Sequence, residues 1–409
     1  MDGKKIPESN IGTVGHVEHG KSSLVRALSG KWTGVHSEEQ KRGLTIRLGY
    51  ADVTLYKCSQ CDEPECYSTS PKCLKHGDNE ALRTVSLIDS PGHESLMATV
   101  LAGASLMDGA LFIIAANEAC PQPQTREHLM ALNMTGVDKI IVLQNKIDLV
   151  DEAKVIENYQ QIKSFFAGSV ADNKPIIPIS AQQKINLDVL IQIMEKEMPT
   201  PKRDASKPPK MLLLRSFDVN KPGYAPNQLN GGVLGGSLIQ GEFAIGDEIE
   251  IRPGIMVHKE NKTFWQPLIT KIAGLQKAST NLERAGPGGL LGLMTELDPS
   301  LTKSDSLAGS VVGRPDKLPD VLGKISVDVK LLERVVGARE ELNVEKIKSN
   351  ETLMLTVGTS RTVGVVKSAR EDVCDIDLKI PVCAERGNRV AISRQVGGRW
   401  RLIGSGVIL

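Results

Sequence analysis

Residues Gly15-His-Val-Glu-His-Gly20-Lys21-Ser22 carry the G-x-x-x-x-G-K-S spacing of a phosphate-binding loop. A strand pattern precedes them and a helical pattern follows, the context in which backbone N–H groups wrap phosphates at a helix N-terminus. In such a loop Lys21 reaches the outer phosphates and the Ser22 hydroxyl binds Mg²⁺, with Val17, Glu18, His19, Gly20 and Ser23 completing the cradle. Three more elements stand at predicted strand ends. Asp89-Ser-Pro-Gly92 offers a carboxylate to Mg²⁺ and the Gly92 N–H to a γ-phosphate. In Asn145-Lys-Ile-Asp148, the Asp148 carboxylate can accept both N1–H and N2–H₂ of guanine, donors that adenine does not present together. Asn145 can address the O6/N7 side, and the Lys146 stem can cover the ring. Ser180-Ala181-Gln182 follows the last strand, where backbone can contact the base. Together these four elements read as a site for GTP or GDP with Mg²⁺.

A second constellation lies between the first two elements: Cys58-Ser-Gln-Cys61, Cys66, and Cys73-Leu-Lys-His76. The C-x₂-C and C-x₂-H pairs have the spacing of a zinc knuckle. Cys58, Cys61, Cys73 and His76 form the candidate Zn²⁺ set, with Cys66 competing with His76 for the fourth place. Four protein ligands leave no open position, so the metal would be structural, supplying folding energy of order 10 kcal/mol to a segment poor in apolar residues. Cys120, Cys374 and Cys383 stand alone and read as buried thiols.

The elements that position these residues follow from hydrophobic pattern. Candidate strands at Asn10–Val14, Thr84–Asp89, Ala110–Ala115, Lys139–Gln144 and Ile176–Ile179 alternate with amphipathic segments such as Gln124–Met134 and Ala153–Phe166. This alternation predicts a doubly wound, mostly parallel α/β sheet with ligand at the carboxyl ends of its strands. Four prolines within residues 199–209 interrupt the pattern. Beyond them lie 24 of the 38 glycines, among short alternating runs, which predicts two all-β barrels. The expected domains are 1–204, with the cysteine insert at about 56–80, then 205–320 and 321–409.

Composition removes other classes. With 409 residues, 40% hydrophobic and 24% charged, the chain can bury several cores and is neither disordered nor collagenous. No apolar run approaches the roughly 20 residues of a membrane span, and residues 1–10 lack the apolar centre of a signal peptide, so a cytoplasmic protein without membrane contact is expected. Net charge is +1, divided as −4 over residues 1–204 and +5 over 205–409. The last 25 residues hold Arg386, Arg389, Arg394, Arg399 and Arg401 against Glu385 alone, a candidate polyanion-facing surface. Aromatics at 3% argue against base stacking as a main binding mode.

The chain resembles the translational GTPases through Asp89-Ser-Pro-Gly92-His93 and Arg42-Gly-Leu-Thr45. The resemblance implies that His93 positions or polarises the attacking water. It also implies that Thr45 binds Mg²⁺ with Gly43 beside it, and that Val17 and Leu44 flank the histidine. Glu18 stands where that family usually has Asp, which leaves the charge but moves the carboxylate by about one C–C bond, and it is expected to contact Mg²⁺. No arginine is placed as a finger, and slow, partner-stimulated hydrolysis is expected.

Within those GTPases the chain is similar to the gamma-subunit family of archaeal and eukaryotic initiation factor two, through segments such as Glu118-Ala-Cys-Pro-Gln-Pro-Gln-Thr-Arg-Glu-His128, Arg215-Ser-Phe-Asp-Val-Asn-Lys-Pro-Gly223 and Arg399-Trp-Arg-Leu-Ile-Gly404. That likeness implies an elongation factor Tu-like protein that delivers methionylated initiator tRNA to the small ribosomal subunit, with alpha and beta subunits as partners. Competing readings are an elongation-type or selenocysteine-specific tRNA carrier, a metabolic GTPase coupled to a partner enzyme, and a non-hydrolysing scaffold.

Overall fold

A computed structural model describes residues 6–33, 45, 47–221, 223, 225, 228–260, 262–335 and 342–409. Arg42, Gly43 and Leu44, which the family likeness places at the nucleotide, lie outside the described residues. The described chain forms two compact units that divide between Pro201 and Lys202.

The first unit is built on a seven-stranded sheet. Its elements are β1 (Pro7–Val14), α1 (Lys21–Ser29), β2 (Gly49–Lys57), the short β3 (Tyr67–Ser68), β4 (Lys72–Cys73) and β5 (Gly77–Asp78), then β6 (Glu80–Asp89) and α2 (Met97–Ala104). They continue with β7 (Gly109–Ala115), α3 (Pro123–Thr135), β8 (Ile140–Asn145), α4 (Glu152–Phe166), β9 (Ile176–Pro178) and α5 (Leu187–Glu197). The strand order is β3-β2-β6-β1-β7-β8-β9, parallel from β6 to β9, as the β-α alternation predicts. β7 is buried at all seven positions, the pattern of a strand covered on both faces. On one face α1 and α5 pack Leu24, Val25, Leu190 and Met194 over Ile11, Leu111 and Leu143. On β7, Phe112 meets Phe166 of α4 edge to face, ring centroids 5.1 Å apart.

The sequence pattern did not single out β2, which runs antiparallel to β6 at Gly49↔Asp89 through Lys57↔Glu80. Its alternation of buried Ala51, Val53 and Leu55 with half-exposed neighbours is that of a strand covered on one face. The helices obey their end signals. Asp151 caps α4 by accepting from the Lys154 N–H at 2.8 Å, Pro123 opens α3, and Gly136 closes it in the left-handed conformation.

The second unit contains two six-stranded barrels. The first comprises β10 (Lys210–Phe217), β11 (Val233–Gln240), β13 (Glu248–Lys259), β14 (Lys262–Lys277), β17 (Leu291–Thr295) and β18 (Val311–Gly313), with the short β12 (Phe243–Ala244) and β16 (Arg284–Ala285) paired to each other and β15 (Thr280–Leu282) paired to β14. They pair in the order β13-β18-β10-β11-β17-β14, and β14 returns to β13. Met211, Leu213, Leu234, Phe243, Ile251 and Leu293 fill its interior. The second barrel closes β19 (Val321–Leu331), β22 (Val373–Cys383), β21 (Ser360–Arg370), β20 (Thr352–Val357), β23 (Arg389–Val396) and β24 (Arg399–Ile408) around Val327, Leu355, Val366 and Ile392. Closure pairs each of these twelve strands on both sides, and in the two main sheets, among the described residues, only the short β15 beside β14 keeps an edge.

Two of the five C-terminal arginines are taken up inside the barrel, while Arg386, Arg389 and Arg399 stay exposed. Arg394 forms a fork to both oxygens of Glu351 and donates to the Glu345 and Lys346 carbonyls, and Arg401 is buried. The guanidinium fork is satisfied within the barrel, where it orders the loop before β20. Of the lone cysteines, Cys374 is buried. Cys120 and Cys383 are only half-buried, and partial desolvation still pushes both thiols up to about 12.

Candidate guanine-nucleotide site and metal cluster

Sheet register brings the nucleotide elements together. Thr13 at the end of β1 pairs with Asp89 at the end of β6, and Ala115 at the end of β7 pairs with Asn145 at the end of β8. Every loop that follows therefore emerges at the same carboxyl edge.

At that edge Asp89 is completely buried, and its carboxylate accepts three hydroxyl hydrogens: Thr33 Oγ1 and Ser22 Oγ at 2.6 Å each on Oδ2, and Thr13 Oγ1 at 3.0 Å on Oδ1. Thr45 Oγ1 lies 3.1 Å from Ser22 Oγ. Three of the oxygens that the sequence nominates for Mg²⁺ are thus gathered, and hard oxygen donors of this kind suit that ion. Glu18 is not among them: it is exposed, has no hydrogen bond among the described residues, and occupies the left-handed turn of the loop at φ 63°. Thr13 and Thr33 were not anticipated, because isolated threonines outside the motif carry no spacing signal.

Gly92 lies against the phosphate loop. A Cβ built there would stand 2.5 Å from Lys21 Nζ and 2.9 Å from Val17 N, so only glycine permits the approach. Lys21 is itself buried, with Nζ donating to the Gly15 and His16 carbonyls at 2.9 and 2.6 Å. Desolvation lowers its pKa to about 8, against the opposing pull of Asp89. Ser23 follows on the first turn of α1. His93 is half-exposed at the start of a short 3₁₀ turn, where its Nδ1 accepts from the Ser95 N–H at 3.3 Å and lies 2.8 Å from Ser95 Oγ.

On the base side, Asn145 ties two loops together. Its Nδ2 donates to the His19 carbonyl at 2.9 Å and its Oδ1 accepts from the Ala181 N–H at 3.0 Å, which leaves one Nδ2 hydrogen uncommitted. A Cβ on Gly20 would come within 2.2 Å of that same nitrogen. Lys146 is left-handed at φ 64°, Asp148 and Gln182 are exposed, and Ser180 is buried with its Oγ accepting from the Gln183 N–H.

Three imidazoles surround the loop. His16 and His19 lie with ring centroids 5.1 Å apart, and His128 of α3 accepts from the Gly15 N–H at 2.8 Å on Nδ1. Burial, reinforced by the Lys21 charge, lowers all three, His19 to about 3 and His128 well below its ordinary value. Glu118 Oε2 approaches His19 Nε2 to 3.4 Å, but an imidazole so hard to protonate makes no ion pair there.

In the cysteine insert, His76 Nδ1 lies 3.5, 3.3 and 3.7 Å from the Sγ atoms of Cys58, Cys61 and Cys73. The Cys61 and Cys73 sulfurs are 3.7 Å apart, near the edge of about 3.8 Å of a tetrahedron with metal–sulfur bonds of about 2.3 Å. Cys66 stands outside this group. Its thiol is buried, and its backbone folds the insert by accepting from the Cys58 N–H and donating to the Asp62 carbonyl. Among the described residues no other group of His, Cys, Asp and Glu is arranged to hold a metal ion.

A phosphate-binding α/β domain of this topology, followed by two six-stranded barrels, is the plan of a translational GTPase. Residues 7–200 match the elongation factor Tu GTP binding domain, and residues 323–408 match the C-terminal domain of initiation factor eIF2 gamma. The chain is 59% identical over 404 residues to the translation initiation factor 2 subunit gamma of Archaeoglobus fulgidus, covering 98% of this chain and 95% of that one. It is 60% identical over 405 residues to that of Methanocaldococcus jannaschii, covering 99% and 98%. Among solved structures it is similar to a bacterial selenocysteine-specific elongation factor EF-Sec, with TM-score 0.74 and 22% identity over 98% of this chain and 58% of that one. A second likeness is to elongation factor SelB from Methanococcus maripaludis with the GTP analogue GPPNHP, at TM-score 0.72 and 21% identity over 99% and 79%. At such identities these two likenesses concern the fold alone. The chain belongs to the translation initiation factor 2 subunit gamma family. Among the described residues no helix is long and apolar enough to cross a membrane.

The buried lysine gives the site a proton signature. Between pH about 8 and the ordinary 10.5 the unfolded chain holds more protons than the folded one, so Lys21 makes the nucleotide-free protein more stable as pH rises through that window. A bound polyphosphate restores the charged form, and GDP binding near pH 8 is expected to take up about half a proton. Titration calorimetry in buffers of different ionisation enthalpy should show an enthalpy that varies with the buffer; no variation would contradict this account of Lys21.

Proposed function

We propose that this chain is the GTP-dependent carrier of methionylated initiator tRNA to the small ribosomal subunit, acting with alpha and beta subunits, with slow GTP hydrolysis as its release switch. The observation that carries the reading is the convergence of Lys21, Ser22, Thr45, Asp89 and Gly92 at one strand edge, in a chain of the gamma family over almost its whole length. The proposed domains are 1–204, 205–320 and 321–409. Val17, Glu18, His19, Gly20, Lys21, Ser22 and Ser23 form the phosphate cradle, and Gly92 offers its N–H to the γ-phosphate. Asn145, Lys146 and Asp148, with Ser180, Ala181 and Gln182, hold guanine. Ser22, Thr45 and Asp89 hold Mg²⁺, which when bound neutralises phosphate charge. His93 positions the attacking water.

Cys58, Cys61, Cys73 and His76 are proposed as a structural Zn²⁺ site. Their separations suit a tetrahedral S₃N set, and four protein ligands leave no open position for catalysis.

Three measurements test these assignments. With an alpha-type partner present, the form holding a non-hydrolysable GTP analogue should bind methionylated initiator tRNA at least about tenfold more tightly than an elongator aminoacyl-tRNA, a difference of about 1.4 kcal/mol. Equal or absent binding in the GTP-analogue and GDP forms would favour the metabolic or scaffold alternatives. His93→Ala should leave nucleotide affinity nearly unchanged while slowing partner-stimulated hydrolysis by about a hundredfold or more; unchanged turnover would remove His93 from the mechanism. Metal analysis should find about one zinc per chain, lost in Cys61→Ser and His76→Ala but kept in Cys66→Ser. Loss in Cys66→Ser with retention in His76→Ala would reverse the choice of fourth ligand.

A further inference from the structure

We propose that His128 is a positioning residue for the nucleotide: from α3 it holds the entry of the phosphate loop and decides which of the loop's N–H groups face the ligand. This rests on the reading of residues 15–22 as the phosphate cradle.

His128 is fully buried, and the Gly15 N–H donates to its Nδ1 at 2.8 Å across 113 residues of sequence. An imidazole nitrogen that accepts a hydrogen bond carries no proton, so the proton of neutral His128 resides on Nε2. That nitrogen is buried without a hydrogen-bond partner among the described residues. The side chain therefore bears the desolvation cost of one N–H for the sake of the contact on its other nitrogen. A residue present only to fill space would be better as leucine, with no polar atom to strand.

The contact has a directional consequence. Engaged by His128, the Gly15 N–H is withdrawn from the phosphate side, and at φ 141° Gly15 turns the chain into the loop. The Gly15 and His16 carbonyls both accept from Lys21 Nζ, so their orientation also sets where the lysine rests before an anion arrives. Without the Nδ1 acceptor, the first peptide of the loop is free to rotate, its N–H competes for the ligand, and the carbonyls that cradle Lys21 move with it.

Two substitutions separate this role from packing. Asparagine places its Oδ1 where His Nδ1 stands; glutamine carries its polar group at the Nε2 position and has none at Nδ1. Release of a fluorescent GDP should therefore be close to wild type in His128→Asn and about tenfold faster in His128→Gln, as loss of one buried hydrogen bond predicts. Melting temperature is followed in both variants, and His128→Leu replaces the glutamine variant if that fails to fold. Wild-type release from the folded glutamine or leucine variant, or equally fast release from the asparagine and glutamine variants, overturns the inference while leaving the nucleotide site intact. Failure of the wild-type chain to hold GDP at all would sink the nucleotide reading, and this inference with it.

Discussion

Everything at the nucleotide edge depends on one buried carboxylate. Asp89 is fully buried, so its carboxylate oxygens need hydrogen-bond partners, and these come from hydroxyls on separate stretches of chain: Thr13 at the end of β1, Ser22 at the start of α1 and Thr33 beyond it. Each hydroxyl that satisfies Asp89 is thereby held in place, and Ser22 in turn holds Thr45. The Thr13↔Asp89 register sets the depth at which this happens, because a one-residue slip of β1 against β6 would move the phosphate loop away from the carboxylate.

The electrostatics around this point have one sign of incompleteness. Lys21 is buried and bonded to neutral carbonyls, and the histidines nearest it are kept uncharged by desolvation. The loop therefore presents a cation with little local neutralisation beyond Asp89, on a backbone whose shape is already set. Such a site has paid in advance for the ordering that a polyphosphate would otherwise impose on binding.

The parts legible in sequence were those where chemistry demands a spacing. The G-x-x-x-x-G-K-S loop, Asp89-Ser-Pro-Gly92 and Asn145-Lys-Ile-Asp148 declare themselves, and the apolar runs flanking them are long enough to reveal a parallel sheet. Illegible were contacts made by single residues distant in sequence, such as His128 on Gly15 and Thr33 on Asp89, since no local pattern marks them. The arginine count near the C-terminus is informative only in part, because charge composition does not show that Arg394 is committed to Glu351 while Arg386, Arg389 and Arg399 stay exposed. The insert lay between these cases. Spacing supplied two candidate pairs, and the fold groups Cys58, Cys61, Cys73 and His76 while Cys66 lends its backbone to the shape of the loop.

The antiparallel ladder of β2 and β6 carries the cysteine cluster at one end and Asp89 at the other, from Lys57↔Glu80 to Gly49↔Asp89. At about 3.4 Å per residue the two ends are separated by more than 25 Å, farther than direct electrostatic influence extends through salt water. The ladder thus acts as a spacer between the two sites. The segment beyond Lys57 is still tied to the domain, since Glu63 accepts from Gln192 of α5 at 2.7 Å and Tyr67 packs on the core, so what it passes to the nucleotide edge travels through packing and not through charge.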